Sequence, residues 1–70
     1  MSGLIEAARF ATRVEADLAR LRLGSEGIEA VLFDVGMNYI GLGPVMPIRL
    51  MVLDSDAPLA LRLLADEGLL

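Results

Sequence analysis

The chain carries one pattern twice, 41 positions apart. Ala16-Asp17-Leu18-Ala19 lies over Ala57-Pro58-Leu59-Ala60, Leu23 over Leu64, and Glu26-Gly27-Ile28 over Glu67-Gly68-Leu69. Over the thirteen positions from Ala16 to Ile28 set against Ala57 to Leu69, six are identical. Ala- and Leu-rich helices match one another easily. A paired Gly stop followed by an apolar residue is harder to reach by chance. A repeat of this kind restricts the architecture more tightly than composition does.

The elements around the two copies follow from local grammar. Leu4 to Ala11 (LIEAARFA) is a mostly apolar run that reads as a first strand, although its alternation is imperfect. Thr12 and Glu15 have the spacing of a capping box, so a helix is expected from Arg13 to Ser25, ended by Gly27 as the left-handed residue after the cap. Ile28 to Phe33 reads as a second strand with Ile28, Ala30 and Leu32 on one face. Ile48 to Leu53 reads as a third. Asp54-Ser55-Asp56 offers N-cap candidates, and Pro58 suits the first turn of a helix over Ala57–Asp66 that stops at Gly68. The order is β-α-β-β-α.

A doubled β-α-β unit with a hairpin in its middle is the ferredoxin-like plan. The fold class expected is therefore α+β, a single domain over residues 1–70. Two helices lie on one face of a three-stranded sheet in the order first, third, second, with the last strand missing or vestigial. The first strand is then left at an open edge. Ala16, Ala19 and Leu23 form one helical stripe, and Ala57, Ala60 and Leu64, joined by Leu61, form its counterpart. Val14, Leu18 and Leu21 form a second stripe on nearly the opposite side of the first helix, and Leu59 and Leu63 do the same on the second. One stripe of each helix can face the sheet. The other faces the neighbouring helix, solvent or another chain, so these five residues are the candidate subunit interface.

Composition removes most catalytic chemistry. The 70 residues contain no Cys, no His and no Lys, which excludes thiol catalysis, His-based triads and nearly all transition-metal sites. Six Arg stand against ten acids for a net charge of −4, which argues against nucleic acid or an anionic membrane as partner. The longest uncharged stretch, Val35 to Ile48, is broken by Gly and Pro and is shorter than the ~20 residues a bilayer span requires. The first residues lack the basic and apolar regions of a signal peptide, so a cytoplasmic location is expected. At 56% hydrophobic residues, a chain this small cannot hide its apolar surface alone, which points to a homo-oligomer, dimer or trimer.

Individual motifs carry little chemistry. Gly41-Leu42-Gly43-Pro44 does not lead into a helix and has no Lys, so it is no phosphate cradle. Asp54-Ser55-Asp56 resembles the start of a Ca²⁺ loop, but Leu59 and Ala65 stand where Gly and Glu are needed. It reads as a helix cap, and no metal or cofactor is expected. Glu6, Glu15, Asp17, Glu26 and Glu29 fall on outer faces or helix ends rather than in a cleft. Phe10 and Phe33 lack the basic surroundings of an RNA-binding sheet and are expected in core or interface. Arg9 and Arg49, on neighbouring strands, are expected to pair with Glu6 or Glu29 or to bind an anion.

The run Arg9-Phe10-Ala11-Thr12 into Val14-Glu15-Ala16-Asp17-Leu18-Ala19, then Ser25-Glu26-Gly27-Ile28, Pro47-Ile48-Arg49-Leu50-Met51-Val52, and Asp56-Ala57-Pro58-Leu59-Ala60 with Leu63-Leu64, resembles a small bacterial family of prokaryotic signal-transducing proteins. The likeness covers nearly the whole chain. It implies a prokaryotic source, a regulatory or adaptor role and a fold similar to the trimeric nitrogen-regulatory PII proteins, with no catalytic residues to carry over. PII proteins hold their effector-reading loop between the second and third strands, the place of residues 34–47 here. That segment is longer than a hairpin turn requires. It carries Met37, Tyr39, Ile40, Gly41 and Gly43, with Arg49 just beyond it, as candidate binding residues. The function expected is a non-enzymatic regulatory or protein-interaction module acting through self-association and partner binding. The alternative is a small-molecule effector sensor using the 34–47 loop.

Overall fold

The computed structural model describes residues 3–33 and 47–70. The elements are strand β1 (Leu4–Phe10), helix α1 (Arg13–Ser25), strand β2 (Ala30–Phe33), strand β3 (Ile48–Leu53), a 3-10 turn (Asp54–Asp56) and helix α2 (Ala57–Asp66). The fold is α+β, and the order and layering are those of the ferredoxin-like plan. β3 lies between β1 and β2 and pairs antiparallel with both. β1, α1 and β2 thus make a split β-α-β unit with β3 inserted in its middle.

The repeat is structural. Gly27 and Gly68 both have positive φ, 82° and 72°. Gly27 N–H donates to Gly24 O and Ile28 N–H to Leu23 O, while Gly68 N–H donates to Ala65 O and Leu69 N–H to Leu64 O. Both helices therefore end in a Schellman motif, with the orphan carbonyls of the last turn satisfied. The paired stripes Ala16, Ala19, Leu23 and Ala57, Ala60, Leu64 are all buried. The small Ala side chains let both helices approach the sheet closely. They share one core with Ala8, Phe10, Ile28, Ile48, Leu50, Val52 and Leu63.

The N-terminus of α1 is capped as its sequence requires. Glu15 N–H donates to Thr12 Oγ1 at 3.2 Å. The Thr12 hydroxyl in turn donates to the Glu15 carboxylate at 3.0 Å, which closes a local ring.

Five details differ from what the sequence leads one to expect, the first being that β1 ends at Phe10 rather than Ala11, where the chain bends toward the α1 cap. β2 begins at Ala30 rather than Ile28, because Ile28 gives its N–H to the α1 stop and is not free to enter the ladder. Asp54-Ser55-Asp56 is a 3-10 turn with no side-chain cap bond, so the backbone turn itself leads into α2. Leu63 is in the core and Leu61 is exposed. The buried arc of α2 is set by Ala57, Ala60, Leu63 and Leu64, and Leu61 lies off one flank of it. Finally, β1 carries a β-bulge. Glu6 pairs with Met51 and Ala8 with Leu50, which leaves Ala7 as the extra residue.

Candidate functional site

The bulge decides what the sheet shows on the side away from the helices. In a regular strand, residues three apart point to opposite faces. The extra Ala7 shifts the alternation by one, so Glu6 and Arg9 share the open face while Ala8 and Phe10 enter the core. The open face is then a grid of register rows. Arg9, Arg49 and Phe33 form one row, Glu6, Met51 and Val31 the next, and Leu4 and Leu53 the third.

Arg9 and Arg49 stand directly opposite each other, an arrangement that repels. Glu6 offsets the repulsion by accepting from both. Arg9 Nε donates to Glu6 Oε2 and Arg49 Nε to Glu6 Oε1, each at 2.7 Å. The Arg9 bond first and the Arg49 bond second hold the Glu6 carboxyl below its usual range, and Glu6 raises Arg9 in return. The pairing of Arg9 and Arg49 with Glu6 is the cross-strand outcome expected from the sequence. Beside this ionic corner, Leu4, Val31, Phe33 and Leu53 are exposed, while Met51 is buried among them. Of the two rings expected in core or interface, Phe10 fills core and Phe33 is 40% exposed on the open face.

The second surface is the outer side of α1. Val14, Leu18 and Leu21 are 69%, 55% and 60% exposed. Of the other two candidate interface residues, Leu59 is exposed and Leu63 packs in the core. The α1 stripe is marked in the sequence by its spacing. Leu4, Val31 and Leu53 are not among the candidate interface residues. Their alternation with core residues on β2 and β3, once the bulge is allowed for on β1, is the pattern that marks them.

Along its outer edge β1 has no partner among the described residues. The same bulge blunts that edge as a template. A two-fold antiparallel β1–β1 ladder pairs residues equally spaced about a common centre. Centred on Ala7, it sets Glu6 of the open face against Ala8 of the helix face. Centred on Ala8, it sets Ala7 against Arg9. Centres on a residue mismatch the faces wherever the ladder crosses the bulge, and centres beside Ala7 match them only with Ala7 itself interrupting the ladder.

Met37, Tyr39, Ile40, Gly41 and Gly43 lie outside the described residues. Arg49, the remaining candidate of that set, belongs to the open sheet face and its Glu6 pair. Among the described residues no helix is long and apolar enough to cross a membrane, and no three His, Cys, Asp or Glu gather where a metal could sit.

No curated protein and no solved structure matches the chain significantly. A family model does. It matches residues 4–68, from the first residue of β1 to the glycine that stops α2, and its description is "Putative prokaryotic signal transducing protein". By that match over nearly its whole length, the chain belongs to this prokaryotic signal-transduction family.

Proposed function

We propose that this protein is a non-enzymatic interaction module of prokaryotic signalling, working in the cytoplasm by self-association and by binding a protein partner. One observation carries the reading. Seven of the eleven exposed large apolar side chains among the described residues gather on two opposed surfaces, Val14, Leu18 and Leu21 on the outer side of α1 and Leu4, Val31, Phe33 and Leu53 on the open face of the sheet. Single exposed apolar residues are ordinary on any surface, whereas gathered ones mark docking sites. The family description supports the signalling role. The missing His, Cys and Lys support a binding role over a catalytic one. The open face suits a partner that covers Leu4, Val31, Phe33 and Leu53 and brings a carboxylate to the arginine pair.

Light scattering at high micromolar concentration tests the self-association directly. A dimer or trimer is expected. A strictly monomeric protein would contradict the reading.

A further inference from the structure

The outer side of α1 is complementary to itself. On a helix advancing 100° per residue, Val14, Leu18 and Leu21 centre roughly 165° from the buried stripe of Ala16, Ala19 and Leu23, so they point straight away from the core. Consider a second α1 laid antiparallel on this stripe, with the two-fold axis midway between Leu18 and Ala19. At 1.5 Å rise per residue, Leu18, Leu21 and Val14 lie about 1, 4 and 7 Å from the axis. On the other copy the same residues fall on the opposite side. The order along the seam becomes Val14, Leu21 of the second copy, Leu18, Leu18 of the second copy, Leu21, Val14 of the second copy. Leu21 and Val14 of the two copies interleave, and Leu18 meets Leu18 of the second copy at the axis.

The charges agree with the same axis. An antiparallel two-fold brings each flank of the stripe against its own copy. Glu15 and Arg22 lie on one flank, at equal distances on either side of the axis, so Glu15 of each chain faces Arg22 of the other. Asp17 and Arg20 are also equidistant from the axis, but Arg20 points roughly 125° away from the stripe and stays outside the seam. The pair that faces across the seam, Glu15 with Arg22, is opposite in sign. All four residues are already held in local pairs on the surface. Glu15 is bonded to Thr12, Asp17 to Arg13 with Arg20 at 3.9 Å, and Arg22 to Glu26 with Glu67 of α2 at 3.7 Å. Glu15 and Arg22 therefore stand ordered at the rim before any contact forms.

We infer that α1 is a homodimerisation helix, packing on α1 of a second copy about a two-fold between Leu18 and Ala19, with Glu15 of each chain facing Arg22 of the other. This inference rests on the interaction-module reading and adds the occupant and the register. Three apolar side chains per copy make a small interface. The dimer is accordingly weak and responds to protein concentration, as a regulatory contact should.

A charge exchange tests the register. Glu15→Arg and Arg22→Glu each place like charges at both symmetric contacts. Each variant alone is expected to dimerise about tenfold or more weakly than the wild type. An equimolar mixture of the two restores both pairs, so a one-to-one heterodimer is expected in native mass spectrometry. Single variants that dimerise as well as the wild type, or a mixture that stays monomeric, would overturn the inference. If either variant loses helical circular dichroism, single cysteines decide instead. Leu18→Cys is expected to form a disulfide dimer under mild oxidation much faster than Val31→Cys on the opposite surface. Equal rates would overturn the contact. A wild type that dimerises but fails these tests removes the α1 contact and leaves an interaction module. A monomeric wild type removes both.

Discussion

Glycine has two separate uses in this chain, and they predict opposite responses to one substitution. A Cβ added at Gly24, Gly27 or Gly68 would meet nothing within 4 Å, so no clash enters the comparison. Gly24 lies within α1, where alanine restricts the unfolded chain and favours helix. Gly24→Ala is expected to stabilise by about 0.5–1 kcal/mol. Gly27 holds φ at 82°, a region that costs an L residue about 1–2 kcal/mol. Gly27→Ala is expected to destabilise by that amount, and urea midpoints at constant m-value measure both changes. Glu6 gives a pH signature. Its pKa is lowered on folding, so its contribution to stability is fully present above the ordinary glutamate value of about 4.3 and is lost as pH falls through the lower folded value. Glu6→Gln is expected to reduce the loss of stability below that pH. A variant whose acid unfolding curve matches the wild type in shape would contradict this role.

The helices and the sheet order were legible because their information is local or repeated. Thr12, the Gly27 and Gly68 stops and the 41-residue offset state the lengths of both helices. A run of apolar residues broken only by Arg49 states β3. The bulge was not legible as such, because LIEAARF alternates poorly in either register. In a regular strand each face of β1 would mix apolar with charged side chains. With Ala7 set aside, Leu4, Glu6 and Arg9 sort to one face and Ile5, Ala8 and Phe10 to the other. The imperfect alternation was the bulge seen one residue at a time. Leu61 was misplaced for a related reason. A short helix rich in leucine offers several apolar arcs, and tertiary packing chose the one through Leu63 and Leu64. The exposed face of the sheet was legible only in outline, because which β1 residues reach it depends on the bulge. Deleting Ala7 tests this account of β1. The deletion leaves Glu6 and Arg9 on the open face and Ala8 and Phe10 on the core face, in a regular ladder. The fold is expected to survive, as read by circular dichroism, and edge-to-edge association is expected to rise because identical strands can now pair with faces matched. Collapse of the fold would show that the bulge holds the strand in place and does not merely sort its faces.

At 70 residues the molecule relies on one core, and that core is built from a few large side chains. Leu23, Leu50, Val52 and Leu64 are its largest fully buried members. Leu50→Ala, in the central strand beneath both helices, is expected to destabilise by about 2–5 kcal/mol, enough to unfold much of a domain this small. Among the described residues most of the exposed large apolar side chains sit on two surfaces that one chain cannot close by itself. The central claim is that these surfaces are covered by protein. The most direct measurement is a concentration series of amide spectra by NMR on the wild-type protein, from low to high micromolar. The account predicts that amides of α1 around Val14, Leu18 and Leu21 shift with concentration while those of the buried β3 positions Leu50 and Val52 hold still. Spectra that superimpose at every concentration would contradict it.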